Sequence, residues 1–324
     1  MAETLRNGGK MQQLKVVMYH YVRDLQNGRY PGIKGLSLEK FKGQIEYLHT
    51  HYHIVRVEDV IAAYDGGRQL PEDAMLLTFD DGYVDHFTNV FPILDRYGIQ
   101  GSFYIPAKTF AENKLLDVNK IHFILASAKL DSLLPDLFER MDHYRGAEFD
   151  FPSNEELFET YAVANRFDPK EVIFVKRILQ NGLPERLRHI ISSELFERYV
   201  GIAEDKFARE LYMNEEQIAC LKRHGMYIGI HGYDHYWLGK LTKAEMEQDL
   251  TKALTVMDPF IDRNSWAMNY PYGSEGAYNE DVLAFLRANG CRVGFTTKAE
   301  TADLNVCDRL LIPRYDTNDF PTEA

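Results

Sequence analysis

A chain of 324 residues and 37.6 kDa has room for two domains of about 150 residues each, or for one α/β barrel that uses the whole length. Apolar residues at 45 % and charged residues at 27 % give the balance of a folded protein and exclude disorder and collagen-like structure. With 37 Lys and Arg against 49 Asp and Glu the formal charge is −12, which repels phosphate backbones; with no basic patch to offset it, nucleic acid is not an expected partner.

In chain order, residues 1–13 are polar and read as a flexible extension, without the apolar core of a secretion signal. Residues 15–19 (KVVMY) are β-branched and lead to His20. Ser37 reads as a helix N-cap before Leu38, Phe41, Ile45 and Leu48 at helical spacing. A strand at 52–57 and a short helix at 58–64 follow, stopped by Gly66-Gly67. The apolar run 74–79 (AMLLTF) enters Asp80-Asp81-Gly82; a helix at 86–97 ends at Gly98, and 101–105 (GSFYI) is the next strand. From about 110 to 217 the strand-like runs vanish and charged amphipathic stretches at 121–129, 153–164 and 171–179 predict a mostly helical insertion. The alternation resumes with a strand at 227–230 (YIGI), a helix at 243–257, a run at 266–268, a helix at 279–288, and strands at 293–296 and 310–312. Seven or eight strands alternating with helices are enough to close a parallel α/β barrel.

No window approaches the roughly 18 consecutive apolar residues of a membrane helix. Cys220, Cys291 and Cys307 are odd in number and form no C-x-x-C pair, which argues for a reduced, cytoplasmic home. With many acids, 11 histidines and no cysteine cluster, any metal ligands should be carboxylates and imidazoles.

Four segments carry candidate chemistry. In Thr78-Phe79-Asp80-Asp81-Gly82 two adjacent carboxylates end an apolar strand, a costly pair unless a cation compensates. A divalent metal would take one as ligand and leave the other as a general base, whereas the dipeptide Asp-Gly alone is equally a turn. In His231-Gly232-Tyr233-Asp234-His235 the imidazoles at i and i+4 can share a metal if the segment turns helically; taken alone they also read as two ordinary histidines. Gly232 stands where H-E-x-x-H would need its Glu, so this is no zincin helix. Asn269-Tyr270-Pro271-Tyr272-Gly273 offers aromatics on a fixed backbone, and His20 is a candidate general acid. All four follow strands, at the end where α/β barrels build active sites.

Taken in this order, TFDDG, H-x-x-x-H and YPYG resemble the polysaccharide deacetylase family, the NodB-like carbohydrate esterases, over about 14–105 and 227–314. The resemblance implies a distorted (β/α)7 TIM-like barrel from 14–109 and 218–324, with 110–217 as a large helical insertion. It implies metal-dependent hydrolysis of the N-acetyl group of an amino sugar, with Asp80 as base and Asp81, His231 and His235 as metal ligands. The Tyr272 backbone N–H would bind the oxyanion. The family's closing strand, ending in Leu-x-His, is not expected after Arg314; the opening VVMYHYV is similar to that of a subgroup led by this strand, so His20 inherits the acid role.

Two positions depart from the family pattern: Gly232 replaces a hydroxyl residue, and Asn269 replaces an Arg that orients the base. Arg314 is a candidate substitute, with a plain surface arginine as the alternative. Zinc is the expected metal, with cobalt, nickel or iron also accepted by Asp-His-His. The expected substrate is a nucleotide-linked, lipid-linked or oligosaccharide N-acetylated sugar in surface-polysaccharide synthesis. Rival readings are a deformylase or amidase acting on a small non-sugar molecule, and a catalytically silent carbohydrate-binding relative. Whether the insertion forms a lid or a homo-oligomer interface stays open.

Overall fold

The computed structural model describes residues 12–146 and 148–323, so the extension expected over 1–13 lies outside the described residues up to residue 11. Its last two residues are fixed rather than flexible. Gln12 accepts from the Leu304 and Leu70 amides, and Gln13 opens the first strand.

The chain divides into two compact units. The larger holds residues up to Val22, Leu36–Glu112 and Leu211 onward. The strands that form its barrel are β1 (Gln13–Tyr19), β2 (Ala74–Asp80), β3 (Ser102–Ile105), β4 (Tyr227–Ile230), β5 (Ala267–Asn269), β6 (Val293–Phe295) and β7 (Tyr315–Asp316), beside further two-residue strands. From β1 to β6 they lie side by side in chain order, each pair parallel. Every residue of β2, β3 and β4 is buried, as befits parallel strands covered on both faces.

The run expected as a strand at 310–312 is reduced to one bridge, Ile312 beside Phe295 at the β6 edge. Three residues later Tyr315 and Asp316 pair with Val17 and Met18 of β1. One segment thereby touches both edges of the sheet and completes a distorted seven-position barrel. The short strand that follows Arg314 carries no Leu-x-His, as expected.

The layer between the sheet and the helix Leu38–His51 is aromatic: Tyr19 and Phe103 both stack on Phe79, with ring centroids at 4.8 and 4.9 Å, and Phe41 meets Tyr19 edge-on. Gly229 makes room for Tyr104, whose ring a Cβ there would meet at 2.4 Å. The strand expected at 52–57 is only His53–Ile54, because the helix Val57–Tyr64 begins early; the Arg56 amide donates to Asp59 as part of its cap. The helix expected at 86–97 is a π-helical turn, His86–Val90, followed by an α-helix, Phe91–Tyr97.

The second unit comprises Arg23–Gly35 and Asn113–Glu210. It is helical, with the longest helices at Asp117–Ser127, Leu130–Tyr144 and Glu185–Tyr199. Its boundaries differ from those expected because 23–35 packs here. Tyr30 contacts the rings of Phe123 and Phe207 at 5.1 and 5.7 Å, and Lys34 pairs with Asp168. Lys120 is fully buried and reaches Asp117, Glu204 and Ser193 at 2.9–3.0 Å. No helix among the described residues is long and apolar enough to cross a membrane.

Candidate active site

Registered parallel strands bring their carboxyl ends to one level, and the candidate residues sit there. Asp80 is the last residue of β2, and His231 follows β4 directly. Asn269 ends β5 with Tyr272 three residues on, and His20 follows β1. All belong to the barrel unit.

Asp81, His231 and His235 are buried, and their nearest donor atoms all lie within 4.8 Å of one another. Asp81 Oδ1 stands 3.4 Å from His231 Nε2 and 3.3 Å from His235 Nε2. The 231–235 segment is not the helical turn that H-x-x-x-H spacing suggests. It is a loop in which Gly232 (φ 73°) and His235 (φ 56°) both take left-handed backbone, folding the second ring back onto the first. Asp81 (φ 74°) and Tyr272 (φ 64°) are left-handed as well. Such conformations cost of order 1–3 kcal/mol each in non-glycine residues and gather at functional sites.

These three residues fit a divalent cation. His231 donates Nδ1–H to the Asn269 carbonyl at 2.7 Å, so in the neutral ring Nε2 presents a lone pair. That lone pair faces Asp81 Oδ1, which is buried without a hydrogen-bond partner, and His235 turns its Nε2 to the same oxygen. The Tyr83 hydroxyl donates to the other oxygen, Oδ2, and fixes the carboxylate. Acceptors aimed at one point in a dry setting call for positive charge, and Asp-His-His leaves a position open for a reactant. Burial pushes both imidazoles down and prevails at His235, whereas the charges of Asp80 and Asp81 pull His231 up. Burial would raise the Asp81 carboxyl, yet the two imidazoles hold it well below the usual range.

Asp80 is held differently. Arg314, 1 % exposed, grips it with both Nη atoms: Nη1 donates to Oδ1 at 3.0 Å and Nη2 meets Oδ2 at 2.8 Å. The same guanidinium donates from Nε to the Thr296 carbonyl at 2.9 Å and from Nη1 to Thr78 Oγ1 at 3.1 Å. Arg314 is therefore no surface residue but the buried counter-ion of Asp80. Asn269 itself also donates to Asp80 Oδ1. Burial alone would raise the Asp80 carboxyl, but chiefly Arg314 brings it down to about 2.

His20 offers its carbonyl to His86 Nε2 at 2.9 Å, and its ring lies near enough to help lower both Asp80 and Asp81. Tyr272 stacks on Trp237 at 4.3 Å and sets its ring edge-on to His235 at 4.8 Å. A separate cavity of about 830 Å³, lined by residues including Tyr52, Arg68 and Gln100, holds none of the candidate residues.

Three comparisons with known proteins point to one family. The sequence profile of the family described as "Polysaccharide deacetylase" matches residues 67–149 and 194–294, more than half of the chain. A Bacillus subtilis protein assigned to the polysaccharide deacetylases is 17 % identical over 294 residues, which is 90 % of this chain and 67 % of the relative. The poly-β-1,6-N-acetyl-D-glucosamine N-deacetylase of Escherichia coli K12 is 35 % identical over 83 residues, 25 % of this chain and 12 % of that one. Among solved structures, the Streptococcus pyogenes deacetylase PplD, in complex with acetate, superposes with a TM-score of 0.57 at 14 % identity. That match covers 95 % of this chain and 93 % of the other, and it shows a shared fold.

Proposed function

The chain belongs to the polysaccharide deacetylase family, hydrolases of N-acetyl amide bonds, and from that premise we propose that it deacetylates an amino sugar with the help of a divalent metal. The observation that carries the reading is the pairing of a buried Asp-His-His cluster with an adjacent carboxylate kept ionised by a bidentate arginine. A purely sugar-binding protein has no need for such a base beside a metal site. The E. coli relative's substrate supports an N-acetylglucosamine polymer, or its carrier-linked unit, over a small non-sugar amide. The three unbridged cysteines accord with a reducing compartment.

Asp81, His231 and His235 would hold the metal, zinc being the first choice for this donor set. When bound, the metal supplies Lewis-acid polarisation of the amide carbonyl and acidifies water. Asp80, ionised and unable to rotate in the grip of Arg314, accepts the proton of the attacking water. The Tyr272 backbone N–H, carried on left-handed backbone, donates to the developing oxyanion. His20 protonates the departing amine, giving acetate and a free amino sugar.

Acetate release from N-acetylglucosamine oligomers tests this. Release should cease with a chelator and return with zinc. Asp80→Asn should cut turnover by about 10²–10⁴-fold with metal binding retained; unchanged turnover in that variant would remove Asp80 from the mechanism.

A further inference from the structure

The loop that carries both imidazoles is bolted to the protein along two sides. On its carbonyl side, Gly232 and Tyr233 accept from the Ala107 and Lys108 amides at 3.2 and 3.0 Å. On its amide side one carboxylate receives two consecutive donors: the Tyr233 amide meets Asp249 Oδ2 at 2.9 Å, and the Asp234 amide meets Asp249 Oδ1 at 3.0 Å. Asp249 lies on the helix Lys243–Met257, whose first turn is closed by a capping box of Thr242 and Glu245. It is 6 % exposed and makes no ion pair among the described residues, so those two amides are its visible partners.

Gly232 completes the arrangement. A Cβ there would come within 3.3 Å of Asp249 Oδ2 and 3.5 Å of Pro271 Cγ, on a backbone of φ 73° that side chains rarely adopt. The space beside Gly232 is thus already filled by the carboxylate. A hydroxyl at that place could accept one amide; a carboxylate, with two oxygens, accepts two consecutive ones.

We propose that Asp249 is a positioning residue for the metal site, clamping the Tyr233 and Asp234 amides so that His231 and His235 converge on Asp81. This rests on the metal-site reading above. The clamp acts through the loop and touches no ligand atom, so its removal leaves Asp81, His231 and His235 present but less well placed. Outer partners of this kind change metal affinity by about 10–100-fold.

The test is zinc affinity, measured without substrate by competition with a chromophoric chelator, together with melting of the metal-free protein. In Asp249→Asn one oxygen is replaced by an NH₂ that faces an amide donor, so a single bond of the clamp is lost with the shape kept. We expect this variant to melt near the parent when metal-free and to bind zinc about 10–100-fold more weakly. Asp249→Ala, which strands two buried amides, should bind weaker still; if it fails to fold, Asp249→Asn decides. Asp136→Asn, a change to a buried carboxylate in the helical unit, serves as the control that should leave zinc affinity unmoved. Zinc affinity unchanged in Asp249→Asn, with or without a lower melting temperature, overturns the proposal. A parent protein that itself binds no zinc overturns the metal reading instead, and with it this inference.

Discussion

Arg314 uses three nitrogens at once: two on Asp80 and one on the Thr296 carbonyl, which leaves its planar head no freedom to turn. A lysine cannot reproduce that fork. Arg314→Lys should therefore lower kcat by about 10–100-fold with zinc content unchanged, checked by steady-state kinetics beside metal analysis. Arg314→Met strands the Asp80 carboxylate in the interior and should cost about 3–5 kcal/mol in urea unfolding. A Met variant as stable as the parent would show that the clamp is idle. At this scale the sequence displays Asp80, Asp81, His231 and His235 through their motifs, but not the support around them. Arg314 lies 234 positions from the carboxylate it holds; the sequence offers it as a candidate but cannot choose it over a plain surface arginine. Asn269 reads as a lost arginine and yet donates to Asp80. Tyr83 and Asp249 stand outside any recognisable spacing. The left-handed backbone is hidden at Tyr272, a residue type that rarely adopts it, and at Asp81 and His235, which adopt it more often than most but still in a small minority of cases.

The elements were legible where periodicity is clear and local stop signals bound it, such as Gly225 before the strand and Thr242 and Pro259 around the helix. The strand at 227–230 and the helix at 243–257 coincide with their expected limits. Legibility fails where tertiary contacts decide: the closing strand is split between Ile312 and Tyr315–Asp316 because it must meet two different edges. The π-helical turn at His86–Val90 is another such place, for nothing in HFTNV marks an extra residue per turn. It buries His86 against Phe79, Tyr83 and Phe103, with Nε2 donating to the His20 carbonyl and Nδ1 without a partner. Burial pushes this imidazole down to about 4. Since the folded value lies below that of the unfolded chain, near 6.5, its contribution to stability is whole above pH 6.5. It is lost as pH falls from there to about 4, by up to about 3 kcal/mol. Urea midpoints of the metal-free protein should decline over that interval, and His86→Gln, which keeps a donor but cannot titrate, should flatten the decline. Parallel profiles for the two would rule out His86 as the cause.

On the scale of the whole molecule, two units have separate cores, and every candidate site residue belongs to one of them. The helical character of 110–217 was visible from the disappearance of strand-like runs; the membership of 23–35 was not, because it depends on where Tyr30 and Lys34 find partners. This division gives a separable prediction. Lys120→Ala leaves Asp117 and Glu204 facing one another without their shared cation, and should cost about 3–5 kcal/mol. Calorimetry should record that loss while kcat per folded molecule and zinc affinity stay at parent values; a fall in zinc affinity would show that the helical unit shapes the site. The segment that joins the two edges of the sheet also sets a schedule. A ribosome delivers Asp80, Asp81, His231 and His235 before it delivers Arg314. On the roles proposed above, the growing chain owns a full set of metal donors while its base still lacks a counter-ion, so that holding an ion would come before using it.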